Sequence, residues 1–282
     1  MAILLFILVR LLLGANDLPA IKGYDFASKK NLQHKLPREL SEASGLSFTK
    51  DGRLLCHNDE QGVVYEVDYH TGQISSRFYL GKFLVYRGDL EGIAARGDTI
   101  FMTNSSGTIL RFLRGKDGEK VAFQTFKTPL SARNDVEGLV YDPVTDCLLL
   151  ACKDEASADY KNPLPIDQKA IYAFSLKTYK MLSKPRFLIP TLKIIAATRE
   201  KEFCPSAIER HPRTGHFFVL AARGNALVEI DANGNLIGAS SLPQAANPQP
   251  EGLAIAPDGT IIICNEGQGK AKVGKLNLYT PK

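Results

Sequence analysis

One short phrase recurs along this chain and limits what it can fold into. It reads Glu42-Ala-Ser-Gly-Leu46, Glu91-Gly-Ile93, Glu137-Gly-Leu139, Ser206-Ala-Ile208 and Glu251-Gly-Leu253. Each copy leads into a turn and then an apolar run that ends in polar residues. The copies lie roughly 45 to 70 residues apart, and a recurrence of about 40 to 50 residues with several strands per unit marks a β-propeller.

Aligning the copies gives the same order of elements each time. After the phrase comes a turn, Lys50-Asp-Gly52 or Pro257-Asp-Gly259, with Pro143-Val-Thr-Asp146 as a longer form. A second strand follows as a dense apolar run: Leu54-Leu-Cys56, Ile100-Phe-Met102, Leu148-Leu-Leu150, Phe217-Phe-Val-Leu220 and Ile261-Ile-Ile263. A third strand alternates, as in Val63-Val-Tyr-Glu-Val-Asp68 and Ala226-Leu-Val-Glu-Ile-Asp231, and a fourth begins after Thr71-Gly72 or Ala232-Asn-Gly234. Buried middle strands and alternating outer strands suit sheets packed face to face around an axis. The last repeat runs out after its third strand, so its outer strand must come from residues 23–36. That closure joins the two ends of the chain in one blade and removes two exposed sheet edges.

The expectation is an all-β chain: residues 21–282 form one five-bladed propeller with four-stranded blades. A six-bladed ring is the alternative, but no stretch of about forty residues is left to build the extra blade. The third repeat is the longest. Its extra residues 154–168 contain Pro163 and Pro165 and read as loop, and residues 192–202 read as a short helix before Cys204-Pro205.

Composition narrows the function. The 282 residues carry a net charge of +5 with no long basic run, which disfavours a nucleic-acid groove. The five cysteines have no CxxC spacing and read as buried small hydrophobes rather than a zinc site or disulfide framework. Residues 1–13 are almost wholly apolar apart from Arg10, with Gly14-Ala15 after them. This is short for a membrane span and suits the core of a signal peptide. Residues 1–20 are therefore set apart as a signal-like or anchor segment, and the protein is expected to be exported to the periplasm or cell envelope. Any membrane contact would run through that segment.

In a propeller the inner strands line a central channel. Glu42, Glu91, Glu137 and Glu251 are expected at equivalent ring positions, facing a common axis, with Ser206 in the fourth repeat. Carboxylates gathered there raise one another's pKa or need a cation. A second tier of oxygens follows the second strands: Asn58, Asn104, Asp154, Asn265 and Glu266. With hard oxygens and no thiol–imidazole cluster, calcium is the expected ion. The alternative is a solvated polar channel in which the acids cap backbone N–H groups. Lys153 and Arg223 are the cations placed to offset the acids, and Arg223 is also an anchor for an anionic group. His57 and Asp59 are the catalytic candidates for a metal-dependent reaction. No GxSxG elbow or P-loop occurs.

Taken in order, Leu40-Ser-Glu-Ala-Ser-Gly-Leu46 with Asn58-Asp-Glu60, Asp89-Leu-Glu-Gly-Ile93, Asp135-Val-Glu-Gly-Leu139 with Lys153-Asp-Glu155, and Gln249-Pro-Glu-Gly-Leu253 resemble the SdiA-regulated family of bacterial propellers, which is distantly similar to NHL-type repeats. The resemblance covers residues 23–282 and implies five blades and a calcium site near the channel, without an established activity. Ala221-Ala-Arg-Gly224 departs from the Ser/Asp-rich rim that the resemblance implies for the fourth repeat. Two readings follow. One is a non-catalytic exported propeller whose calcium stiffens the fold or binds a small polar or anionic ligand. The other is a calcium-dependent hydrolase of an ester, lactone or phosphate at the rim. A protein-docking role for the opposite face is a third, with no partner indicated.

Overall fold

The structure, a computed structural model, describes residues 20–159, 161–268 and 272–282. The segment read as a signal or anchor thus lies, apart from Ala20, outside the described residues. The rest forms five sheets around one axis, antiparallel but for one short edge strand, a five-bladed β-propeller.

The innermost strands of blades I to V are Ala43–Phe48, Leu90–Arg96, Val136–Asp142, Cys204–Arg210 and Pro250–Ile255. Each packs beside the next, and the fifth packs beside the first, so the ring is closed. The apolar runs form the second strands, Leu54–Asn58, Thr99–Asn104, Cys147–Cys152, Phe217–Arg223 and Ile261–Asn265. Closure occurs as the sequence requires. Leu32–Lys35 pairs antiparallel with Lys275–Tyr279, with Leu32 opposite Leu278 and Lys35 opposite Lys275.

Two blades gain a fifth strand. Lys120–Val121 adds in parallel to the outer edge of blade I, and Phe187–Pro190 pairs with Gln168–Ser175 in blade III. The helix expected over residues 192–202 is shorter, Thr191–Thr198. It stops because Arg199 turns left-handed at φ 62° and returns its N–H to the Ile195 carbonyl.

Because side chains alternate across each strand, every blade presents apolar residues to both neighbours. The result is five buried clusters, one per interface between blades. Cys56 and Cys264 lie in the cluster between blades V and I, and all five cysteines are buried thiols. Tyr65, Tyr172 and Phe174 are buried in these interfaces too.

Candidate functional site

Every inner strand carries a β-bulge at the same level. The register slips at Ser44, Glu91, Glu137, Ser206 and Glu251. An extra residue at a bulge is re-aimed out of the ladder, here towards the axis. The next residue is small, Gly45, Gly92, Gly138, Ala207 or Gly252, because the blades meet there. A Cβ at Gly92 would lie 2.6 Å from Leu139 Cβ and 2.9 Å from the Glu137 carbonyl oxygen. One at Gly252 would lie 2.9 Å from the Ser44 carbonyl oxygen. The residue after that is aliphatic and buried: Leu46, Ile93, Leu139, Ile208 and Leu253. These five side chains converge below the bulges, where the axial space narrows to about 10 Å³. The channel therefore has a floor.

The bulges correct one expectation. The ring residue of blade I is Ser44, and Glu42 stands two positions before it. The ring is thus three glutamates and two serines. Each serine bonds to the neighbouring blade: Ser44 Oγ donates to the Glu91 carbonyl at 3.1 Å, and Ser206 Oγ to the Pro250 carbonyl at 2.7 Å.

Above the floor lies a polar cup of about 150 Å³. Glu91, Glu137 and Glu251 form its wall, with Glu42, Asp59 and Glu266 around the mouth and Ser44, Gln249 and Lys153 completing the lining. Lys153 is the cation inside. Its Nζ lies 2.6 Å from Glu137 Oε1 and 3.8 Å from Asp135 Oδ2. Glu42 Oε1 accepts from Lys272 Nζ at 2.8 Å, and Gln249 donates to Glu266. Two buried carboxylate oxygens, Glu251 Oε2 and Asp59 Oδ1, have no partner among the described residues.

The electrostatics follow from this crowding. Burial, and after it the Glu137 charge, push Glu91 up to about 9. Burial and the Glu251 charge push Glu137 up to about 8 although Lys153 opposes them. Glu251 is raised as well, chiefly by burial. Asp59 is raised by burial and then by Glu42, and Glu266 by burial and then by Asp59. Burial works against the Lys153 ammonium, but Glu137 and Glu251 outweigh it and raise its pKa.

The other expected residues lie elsewhere. His57 is fully buried behind the cup. Its Nδ1 is 2.8 Å from the Asn58 carbonyl, which can only accept, so Nδ1 carries the proton. Burial lowers its pKa to about 4 despite that bond, and the ring fills the space beside Gly45. Asn58 accepts from the Gln61 N–H and Asn104 from the Thr108 N–H, as turn caps. Asn265 lies in a buried amide cluster with Asn247. Asp154 pairs with Arg223 at 2.6 Å outside the cup, which leaves Arg223 engaged. Sequence reasoning missed Ser44 and Gln249. The signal for Ser44 was its glycine, since Ser44-Gly45-Leu46 aligns with Glu91-Gly-Ile93 without a gap.

Oxygen donors, small volume and unpartnered carboxylate atoms suit a hard cation. Among the described residues, no three His, Cys, Asp or Glu side chains already stand as a ligand set, and Lys153 and Lys272 engage two of the acids.

Residues 192–268 match the SdiA-regulated family. The match spans the helix, blade IV and the first two strands of blade V, and so includes the phrase at Glu251. No curated protein matches the sequence. Solved structures with the same fold include Myxococcus xanthus glutaminyl cyclase, 14% identical with a TM-score of 0.54 over 88% of this chain and 93% of that one. A luciferin-regenerating enzyme is 10% identical with a TM-score of 0.51, over 89% of this chain and 95% of the other. A streptogramin B lyase is 13% identical with a TM-score of 0.51, over 88% and 98%. These likenesses are of fold. Three names with three different reactions show that the ring does not select a chemistry.

Proposed function

We propose that this protein is an exported propeller whose cup binds a divalent cation, calcium by the hardness of its donors, and through it a small polar or anionic group. The carrying observation is the imbalance inside the cup. Among the described residues, Glu91, Glu137 and Glu251 share the cup with one ammonium group, and Glu251 keeps an unpartnered oxygen there. Buried like charges are costly unless neutralised. Glu91, Glu137 and Glu251 would hold the ion, with Asp59 the nearest further oxygen donor on the lining. The ion would supply the missing counter-charge and an electrophilic point for an anion.

The cup's size sets the scale of what enters. At about 150 Å³ it has room for about five waters at 30 Å³ each, half the volume of the smallest ordinary ligand pocket. An ion with one carboxylate- or phosphate-sized group fits, and a larger molecule would rest on the rim. Export is supported by the apolar N-terminal stretch. Among the described residues no helix is long and apolar enough to cross a membrane.

A hydrolytic reading has one observation in its favour. Asp59, unlike His57, lines the cup and holds a buried oxygen without a partner, so it is the group to activate a water. Calorimetric titration of the chelator-treated protein with calcium tests the main proposal. Saturable one-site binding supports it, and no heat with an unchanged melting curve defeats it. Lactones and phosphate esters screened with and without chelator test the hydrolytic reading.

A further inference from the structure

Blade IV holds a buried carboxylate that lacks the counter-charges of its twin in blade I. Glu66 and Glu229 occupy the same place in their third strands, within Val63-Val-Tyr-Glu-Val-Asp68 and Ala226-Leu-Val-Glu-Ile-Asp231. Their exposures are 2% and 0%. Glu66 sits between two guanidinium groups, Arg53 at 2.7 Å from Oε2 and Arg114 at 2.6 Å from Oε1. In blade IV the residue before the second strand, where blade I has Arg53, is His216, with Nδ1 2.7 Å from Glu229 Oε1. The other oxygen is met by main chain. The N–H of Ile21 donates to Glu229 Oε2 at 2.8 Å. Among the described residues, no lysine or arginine pairs with Glu229.

We infer that the Ala20–Ile21 peptide bond is a processing site, and that the ammonium group freed at Ile21 is a counter-charge for Glu229. The inference rests on the export reading above. Ala20 supplies the small residue that a leader-cleavage site places just before the cut, on the carboxyl side of the apolar N-terminal stretch, while Leu18 stands where the A-x-A pattern has its other small residue. A signal peptidase of the exporting membrane adds water across the bond. Ala20 leaves as a carboxylate on the leader, and Ile21 remains as an ammonium on the propeller. That ammonium keeps the hydrogen that Glu229 accepts and adds a full charge to a site where a buried carboxylate otherwise meets a neutral donor. The cut precedes folding, because Ile21 is 4% exposed in the finished ring and packs with Tyr24, Phe218 and Leu220. The unprocessed twin in blade I reaches the same neutralisation with arginines, which come from within the fold.

The test is to express the full chain in a bacterium with an intact export pathway and to read the mature terminus by intact mass and N-terminal sequencing. A protein beginning at Ile21 is the expected result. A protein that begins elsewhere, at Asn16 for instance, or that keeps the segment as an anchor in the cell envelope, overturns this inference alone, whereas a chain recovered only in the cytoplasm overturns the export reading with it. A second comparison does not depend on the host. Chains beginning at Ile21 and at Asn16, each released from a fusion by a site-specific protease, are melted side by side. The Ile21 chain is expected to melt several degrees higher, with the gap closed by Glu229→Gln. Equal melting temperatures of the two unmutated chains would overturn the pairing.

Discussion

Blades I and IV carry serine at the bulge where blades II, III and V carry glutamate. Ser44 and Ser206 each donate to a backbone carbonyl of the neighbouring blade. They tie the ring together with a short neutral side chain. Among the described residues the glutamates make no such bond to a neighbouring backbone, and they face one another across the cup under conditions that raise their pKa values. The structural task of this position is therefore met by serine, and the acids stand where the fold alone would not place them. Local choices that oppose stability mark functional sites, so the contrast locates function in blades II, III and V rather than in the ring as a whole.

Substitutions at and beside the bulge can break that comparison. The largest effect is expected one residue further on. Gly92→Ala sets a methyl group against Leu139 and the Glu137 carbonyl and should cost about 3 kcal/mol, the upper range for overpacking. The reverse change in the serine blade, Ala207→Gly, should cost only about 0.5–1 kcal/mol. Urea denaturation measures both, and equal losses would show that the small-residue ring is not set by close approach. Ser206→Ala comes next. It leaves the buried Pro250 carbonyl without its donor and should cost about 1–2 kcal/mol.

Much of this architecture was legible before the structure. The repeat phrase, the turns after it and the missing outer strand of the last repeat sufficed for five blades and for a closing strand within residues 23–36, which the structure narrows to Leu32–Lys35 against Lys275–Tyr279. The cup was legible only in part. Glu91, Glu137, Glu251, Glu266, Asp59 and Glu42 all line it, but Glu42 does so from the mouth rather than the ring, although Glu42-Ala-Ser-Gly-Leu46 contains a glutamate before its glycine. A bulge changes which residue faces the axis and leaves no periodic trace, so only the glycine marks the register. The amides Asn58 and Asn104 follow second strands as expected, yet they bond to their own turns, a local choice that short polar side chains make readily. The two-residue strand Lys120–Val121 carries no pattern at all and is fixed by the edge it joins.

Removing one acid should act in the opposite direction from removing a serine. Glu251→Gln keeps the volume and discards a charge whose Oε2 has no partner. In chelator the variant should melt higher than the natural protein, while its affinity for calcium should fall tenfold or more. Thermal melting and calorimetry read the two effects. If the variant melts lower in chelator, as Ser206→Ala should, the glutamates are structural after all and the comparison fails.

The smallest effect, and the most specific to the glutamate blades, is a dependence of stability on pH. Glu91 and Glu137 rise from the ordinary 4.5 to about 9 and about 8 in the folded chain. Between those limits the native state binds more protons than the unfolded one, so stability falls as pH rises. His57 works the other way below its ordinary 6.5, because its folded pKa is about 4 and the unfolded chain takes up the proton first. Asp68 and Asp231 are lowered, so their contribution is lost only on acidification. The window for the cup is therefore pH 7 to 9; Glu209 of blade IV, raised to about 8 by burial, and the buried cysteines, raised by burial, titrate in it with the same sign, so the Glu91→Gln comparison is what singles out the cup. In chelator the melting temperature should drop across it, and Glu91→Gln should flatten the drop. Calcium should flatten it too, since the ion favours the ionised carboxylates and takes the place of their protons. A melting temperature that rises from pH 7 to 9 without metal would mean that the three acids are not crowded in solution, and the distinction between the two kinds of blade would lose its electrostatic basis.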